Sequence, residues 1–453
     1  VLQDHDPTER RMPKRGGKAM TRFNTSLVRR RVLAGAAGFG MAAPFINKAA
    51  LGQTPSGQIR VWTFMSAAGT SPRERVLRAI IDEFQAKHPG TTVVVESQPF
   101  QELETRYVAA IAQRRAPDLI WMRDTFLSLV VDRNALADLN EALTPEFRRD
   151  AIPDMFEVFA QKSVFGGKRV SLPLWPTPAQ IIFYRKDALR EVGLTAPPMD
   201  WPGFIDVAAK LTKGPRFGFG LPTSDNSVSA FINIMSGFGP QIFDPATGRM
   251  DLIGGQALET AEVVRQLVAR KAVSNTLLNA MGDDIQDQFA AGRFAMAQAF
   301  SARFQQFQQI ASGYDGRELA VSAWPSFAGR PPAVLLGPYW TVGLSPQSQN
   351  KVTAVAFLEA LYSREASLRW AKDAGLVPDR RSVLTDPFFA QPQAAVANEY
   401  QKLLAGEGAF VFPQRIPDIT RIFTVLNTAL QKLIGTDAPS RSILAEAQAT
   451  LGW

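Results

Sequence analysis

The chain has no cysteine and only two histidines in 453 residues. The first absence excludes disulfides, thiolate metal sites and cysteine nucleophiles. It also excludes a lipid attached through a cysteine of this sequence, so the mature protein is expected to be freely soluble. The second absence removes Ser-His-Asp chemistry, imidazole zinc sites and most general-base schemes. His5 lies in a basic leader, and His88 sits in a Lys-His-Pro-Gly turn that reads as the end of a helix. Long apolar runs are also missing. Val32 to Ile46 carries no charge, but fifteen residues fall short of the roughly 20 that a helix needs to cross ~30 Å of hydrocarbon.

That uncharged run follows Arg29-Arg30-Arg31-Val32-Leu33, a pattern that matches a twin-arginine export signal. Gly35, Gly38, Gly40 and Pro44 argue against an ordinary buried helix, since each interior glycine costs a helix ~1 kcal/mol. Residues 20–52 are therefore expected to be a signal peptide, with Met20 as the start and cleavage between Ala49 and Gln53. Residues 1–19 are expected to be a non-native or disordered extension. An export receptor and a periplasmic destination follow from the signal.

Charge is unevenly placed. Residues 1–50 hold ten Lys/Arg and three Asp/Glu, whereas residues 51–453 hold 40 against 39. The basic balance belongs to the leader. After Lys48 there is no basic run of the kind a nucleic-acid-binding face requires, so nucleic acid is excluded as a partner.

From Gly57 the pattern alternates strand and helix. Ile59 to Phe64 is rich in strand formers. Ser71-Pro72-Arg73-Glu74 is a capping box with proline at the first helical position. Val76, Leu77, Ile80, Ile81 and Phe84 then recur at helical spacing. Thr91 to Glu96 reads as a strand, and Phe100, Leu103, Tyr107, Val108 and Ile111 as a helical stripe. Leu119 to Met122 reads as a third strand, with Trp121 in the core. This alternation predicts an α/β fold with a parallel sheet, whose ligands lie beyond the carboxyl ends of the strands, placing Met65–Gly69, Gln98–Phe100 and Arg123–Thr125 along one edge of a cleft. Farther on, Ile181–Tyr184, Phe217–Leu221 and Phe294–Phe300 read as strands, the last alternating. Helices are expected over Arg185–Val192, from an Asp200 cap, over Gln256–Lys271 and over Asp283–Ala291. Phe217-Gly218-Phe219-Gly220 lacks the lysine and helix of a phosphate-binding loop.

Four local patterns, in this order and spacing, resemble the extracellular solute-binding proteins of ABC importers, in particular the family 1 group that includes many sugar binders. They are Trp62-Thr63-Phe64 with Glu83-Phe84-Gln85-Ala86-Lys87-His88-Pro89-Gly90; Ala116-Pro117-Asp118-Leu119-Ile120; Leu172-Pro173 through Phe183-Tyr184-Arg185-Lys186-Asp187 to Trp201; and Gly282-Asp283-Asp284 through Phe289 to Met296. Leu376-Val377-Pro378 also fits. The resemblance runs from Ile59 to the C-terminus. It implies a two-lobed periplasmic-binding-protein fold of the type II arrangement, hinged between lobes. The first lobe would hold residues 57–173 and 342–374, and the second 176–332 and 384–453. Hinges would lie near Pro173–Pro176, Leu335–Gly343 and Gly375–Ser382. It further implies a monomer that captures a small solute, most readily a mono- or oligosaccharide, and hands it to a membrane permease. No metal and no cofactor are implied. Tyr339-Trp340 departs from the family, where small residues are common, and would reshape the cleft.

Sugars present apolar C–H faces and rings of hydroxyls, which suit aromatic platforms flanked by planar polar groups. A stacking contact contributes about 0.5–1.5 kcal/mol by analogy with aromatic pairs. On this basis Trp175, Tyr339 and Trp340, on the crossing segments, are the first aromatic candidates, with Trp324 behind them. The polar candidates follow strands or a hinge: Ser66, Arg123, Asp124, Asp225, Asn226, Ser301, Arg303 and Arg380. Glycerol phosphates, polyols and polyamines are alternative guests, and a binder that signals to a sensor is an alternative role. The rival in another class is a secreted glycoside-acting enzyme with a carboxylate pair among Asp283, Asp284 and Asp287. Those three read better as the N-terminus of a helix, where negative charge is favourable.

Overall fold

In β1 (Gly57–Thr63), Ile59, Val61 and Thr63 are buried while Arg60 and Trp62 between them are partly exposed, the two-residue period of a strand. The computed structural model describes residues 54–453 apart from 176–179, 226–228, 275–277, 311–314, 332, 392–393 and 400–408. The residues expected to form a leader and an export signal, and Asn226, lie outside the described residues. The capping box at the start of α1 (Pro72–Lys87) forms as expected, with Ser71 and Glu74 bonded reciprocally, and Val76, Leu77, Ile80, Ile81 and Phe84 make its buried face. Parallel to β1 run β2 (Thr91–Ser97) on one side and β3 (Leu119–Arg123) on the other. Between β2 and β3 lies α2 (Leu103–Ala112).

Phe100 does not join the stripe expected of it. It precedes α2 and is 39% exposed. The helix begins only at Leu103, because the Gln98–Gln101 segment turns through Pro99 at the strand end.

After the short hairpin β4 (Val164–Phe165) and β5 (Lys168–Arg169), the chain adds β6 (Leu172–Leu174) to the same sheet. It then builds a second sheet from β7 (Gln180–Arg185), β8 (Phe217–Gly220), β9 (Phe294–Phe300) and β10 (Leu319–Ser322), in the order β10-β7-β9-β8. All six residues of β7, and the first six of β9, are buried. The alternation expected of β9 is absent because the strand is covered on both faces, as interior strands of α/β sheets are.

A short parallel pair follows, β11 (Val334–Leu336) with β13 (Ala409–Val411). Between them in sequence, β12 (Trp340–Leu344) returns to the first sheet and inserts antiparallel between β3 and β6, giving the order β2-β1-β3-β12-β6. The first lobe is therefore discontinuous in sequence. The C-terminal helices Ile419–Gly435 and Ser440–Leu451 pack into the second core, where Leu426, Leu430, Leu433 and Leu444 are fully buried. The helix Arg364–Ala374 serves both lobes. Trp370 and Ala374 join the first core and Ala371 the second.

Candidate functional site

Because β1, β2 and β3 are parallel, their carboxyl ends open on one edge of the first sheet. β12 is antiparallel, so its first residue reaches the same edge, and Trp340 stands opposite both Arg123 and Leu174. Three rings meet there. Phe64, just past β1, stacks on Trp340 with centroids 4.3 Å apart and planes 25° from parallel. Phe100, just past β2, stands edge-on to Trp340 at 5.6 Å and to Phe64 at 5.8 Å. Phe64 and Trp340 are half-buried and Phe100 is exposed. An aromatic floor on a strand edge is the surface that the apolar face of a flat guest would use.

Arginines border this floor. The Arg123 guanidinium carbon lies 5.1 Å from the Phe100 ring centre and 4.5 Å from that of Phe126. It is held by Glu104 of α2 in a two-pronged pair, Nε to Oε1 at 3.0 Å and Nη2 to Oε2 at 2.9 Å. Arg73 of α1 stands 5.3 Å over Phe64. Burial, and after it the charge of Arg303, holds the Arg73 guanidinium below the ordinary arginine range.

The second sheet presents a matching edge. Gln180 opens β7 opposite Phe300, which closes β9. Just past it, Ser301 is buried, and Ala302 packs against the first-lobe core alongside Phe64 and Trp340. Arg303 donates to Asp283 Oδ1 at 2.6 Å and lies 4.0 Å from Asp287. The end of β9 thus meets the first lobe at Ala302, with Ser301 and Arg303 on either side of it in the chain.

Of the residues singled out from sequence, Trp340, Arg123 and Arg303 are brought together here, with Ser66 beside them. The Ser66 amide donates to Glu74 Oε1 at 2.9 Å, which fixes the turn after β1, and that bond holds the Glu74 carboxyl below the usual range. Ser301 follows β9 at the other edge, and the remaining described candidates are packed or paired elsewhere. Trp175 is 3% exposed, adopts φ of +50°, and turns its ring in against Trp121 and Trp370 at 6.0 and 4.8 Å. Trp324 is 1% exposed and donates Nε1–H to the Gln180 carbonyl at 3.3 Å. Tyr339, also buried, meets Phe159 edge-on at 4.7 Å.

Asp124 is fully buried, paired with Lys162 and bonded to the Tyr339 amide. Asp225 accepts from the Gly282 amide at 3.1 Å. Arg380 donates Nε–H to Asp154 Oδ2 at 2.8 Å in the third crossing. Asp283 and Asp284 stand in the first turn of the helix Gly282–Ala290, where Asp284 accepts from the Met281 amide at 2.8 Å. Those carboxylates are thus engaged as helix-end and ion-pair groups. Phe64 and Arg73 were missed from sequence, whereas Phe100 was placed at the cleft edge by its strand end but not singled out as a contact. Their signal was positional: each lies within a few residues of a parallel strand's carboxyl end or of the helix that follows it.

Among the described residues no cluster of His, Asp and Glu is arranged to hold a metal ion, and no helix is long and apolar enough to cross a membrane. An open groove of about 910 Å³ is lined by Ile242, Phe243, Arg249, Met250, Gln448 and Trp453. None of these belongs to the facing strand edges.

Fold and site together define a two-lobed binding protein. Residues 68–367 match the model of the bacterial extracellular solute-binding proteins, and the chain belongs to that family. A probable ABC transporter-binding protein of Deinococcus radiodurans is 24% identical over 323 residues, spanning 67% of this chain and 74% of the relative. An uncharacterized lipoprotein of Streptomyces antibioticus is 25% identical over 341 residues, spanning 72% and 71%. Two solved structures share the fold at 20% identity, each covering 88% of this chain and 99% of its own. They are the GacH receptor of Streptomyces glaucescens, solved unliganded and with acarbose (TM-score 0.72), and maltose-bound MalE3 of T. maritima (TM-score 0.73).

Proposed function

We propose that this chain is the capturing component of an ABC importer, exported to the periplasm, that closes on a mono- or oligosaccharide and passes it unchanged to an inner-membrane permease. The observation that carries this reading is the aromatic floor of Phe64, Phe100 and Trp340, set on one strand edge and faced by Ser301 to Arg303 from the other. Ring faces attract the C–H faces of a pyranose, and arginines give its hydroxyls charge-assisted bonds about twice as strong as neutral ones. Family membership, and relatives solved with acarbose and with maltose, support a carbohydrate guest.

We take residues 57–173 and 342–374 as one lobe and 176–332 and 384–453 as the other. β12 supports this, with the boundary starting two residues earlier at Trp340. Closure is a population shift, driven by the guest's greater affinity for the closed form. The protein works as a monomer without a cofactor, and it does no chemistry on its guest. Ser66, Arg123, Arg303 and Trp340 are the proposed contacts carried over from the sequence, joined by Phe64, Phe100 and Arg73.

A thermal-shift screen of the purified protein against mono-, di- and oligosaccharides tests the reading. A guest at about 100 times its dissociation constant stabilises by ~2.7 kcal/mol. A melt that no saccharide moves, but that polyols or polyamines do, rejects the carbohydrate assignment.

A further inference from the structure

Arg73 is an arginine without a partner in a place where arginines are expected to have one. It is half-buried on the first turn of α1, with its guanidinium over the Phe64 ring. Among the described residues it makes no ion pair and no hydrogen bond. The adjacent carboxylate is already taken: Glu74 accepts from the Ser66 amide at 2.9 Å, the Ser71 amide at 3.1 Å and the Ser71 hydroxyl at 2.7 Å. A guanidinium carries five N–H donors and no acceptor, and those of Arg73 are left to take the oxygens of a guest.

A second positive charge approaches from the other lobe. Ala302 packs against the first-lobe core, as Phe64 and Trp340 do, and Arg303 follows it in the chain. Arg303 acts on Arg73 as a like charge. Its bond to Asp283 engages one guanidinium nitrogen at 2.6 Å, and Asp287 stands farther off at 4.0 Å. The other arginines nearby are committed. Arg123 is gripped by Glu104, and Arg380 by Asp154. Two facing arginines on opposite lobes oppose closure on a neutral guest. An anion between them reverses the sign of that contribution and satisfies both forks with planar, two-pronged bonds.

We propose, resting on the carbohydrate reading above, that the guest is an acidic saccharide whose anionic substituent lies between Arg73 and Arg303 while its ring lies on the aromatic floor. The substituent is a carboxylate, as in a uronic acid, or a phosphate ester. Both present the oxygens that guanidinium groups recognise.

Titration calorimetry of the full-length purified protein separates the possibilities. The probes are paired: digalacturonate and trigalacturonate against galactose and galactobiose, and glucose 6-phosphate against glucose, with maltose and maltotriose as further neutral sugars. The expected result is at least tenfold tighter binding of one acidic series than of its neutral counterpart. That preference should shrink as salt rises from 50 to 500 mM, and fall at least tenfold in both Arg73→Gln and Arg303→Gln. Whether uronates or phosphate esters show it identifies the substituent. Neutral sugars bound as tightly as their acidic partners, or a preference that survives both substitutions, overturns this inference and leaves the carbohydrate reading standing. No binding by any saccharide in the panel, charged or neutral, overturns both. Circular dichroism of each variant confirms that a loss is not unfolding.

Discussion

Asp124 and Lys162 form a buried ion pair behind the aromatic floor. Their side chains are 0% and 3% exposed. Asp124 ends up at this position because it follows β3, and Lys162 because it closes the helix Glu157–Lys162. Asp124 also exchanges bonds with Tyr339 in both directions: its carboxylate accepts from the Tyr339 amide at 2.9 Å, and its own amide donates to the Tyr339 carbonyl at 2.9 Å. The Lys162 ammonium lies 5.9 Å from the Tyr339 ring and 5.7 Å from that of Phe412. One ion pair thereby ties the first sheet, a connecting helix, the returning strand and the second lobe.

Removing one partner leaves a charge buried alone, which costs about 3–5 kcal/mol. Asp124→Ala is expected to lose that much in urea unfolding. The double variant Asp124→Leu with Lys162→Met recovers most of it, because no bare charge remains. Burial already pushes the Lys162 ammonium down despite Asp124, in line with this.

The tryptophans separate into two kinds. Trp175→Ala opens a cavity beside Trp121 and Trp370 and is expected to cost about 3–5 kcal/mol of stability. Trp340→Ala removes a half-buried ring from the site. It is expected to weaken binding of the saccharide found in the thermal screen at least tenfold, with a smaller loss in the melt. The two measurements, melting and titration, should rank the two variants in opposite order.

Asp379 gives a pH dependence. It is 1% exposed, accepts from Ser367 Oγ at 2.8 Å, and its carboxyl is pushed up to about 7. Burial is the main cause; the Ser367 bond and Arg380 oppose it, and Asp154 adds to it. Unfolded, the same carboxyl titrates near 3.9. A raised acid pKa means that the folded chain holds the proton more tightly. Its contribution to stability is complete below about pH 4 and is lost as pH climbs toward 7. Asp379→Asn mimics the protonated form. It should come close to the wild type near pH 4, pull ahead as pH rises, and exceed it at pH 8 by about 2–4 kcal/mol. Parallel stability curves for the two proteins would contradict this assignment.

The Glu74 carboxylate shapes the turn that carries Ser66 to the site edge. Glu74→Ala removes the capping-box acceptor and frees the Ser66 amide, and is expected to cost about 1–2 kcal/mol. Because Ser66 sits beside the floor, affinity should fall as well. Faster amide exchange at Ser66 and Ser71 would locate the effect.

The fold was legible wherever its cause was local. The Ser71–Glu74 box, the Asp200 cap and the β-branched runs act within a few residues, and the structure shows them where the spacing put them. The site was legible only in part. Trp340 could be proposed from sequence because it follows a Gly-Pro step at a crossing, and the structure sets it at the strand edge. Phe64 carried the same composition as a core residue, and the parallel register of β1 and β2 sets it at one edge with Phe100, whose strand-end position was legible. Trp175 was proposed on the same ground, but its ring packs against Trp121 and Trp370, with a positive φ that no local pattern announces. Arg380 and Asp154 are 226 residues apart, and no local pattern announces such a pair.

The most direct test is a crystal structure of the protein with the saccharide that stabilises it best. The account predicts two lobes closed over an intact sugar, one ring face against Phe64 and Trp340, and contacts from Ser301 to Arg303 on the opposite side. A sugar seated elsewhere, such as in the groove beside Trp453, or a guest recovered as cleaved product, would contradict it.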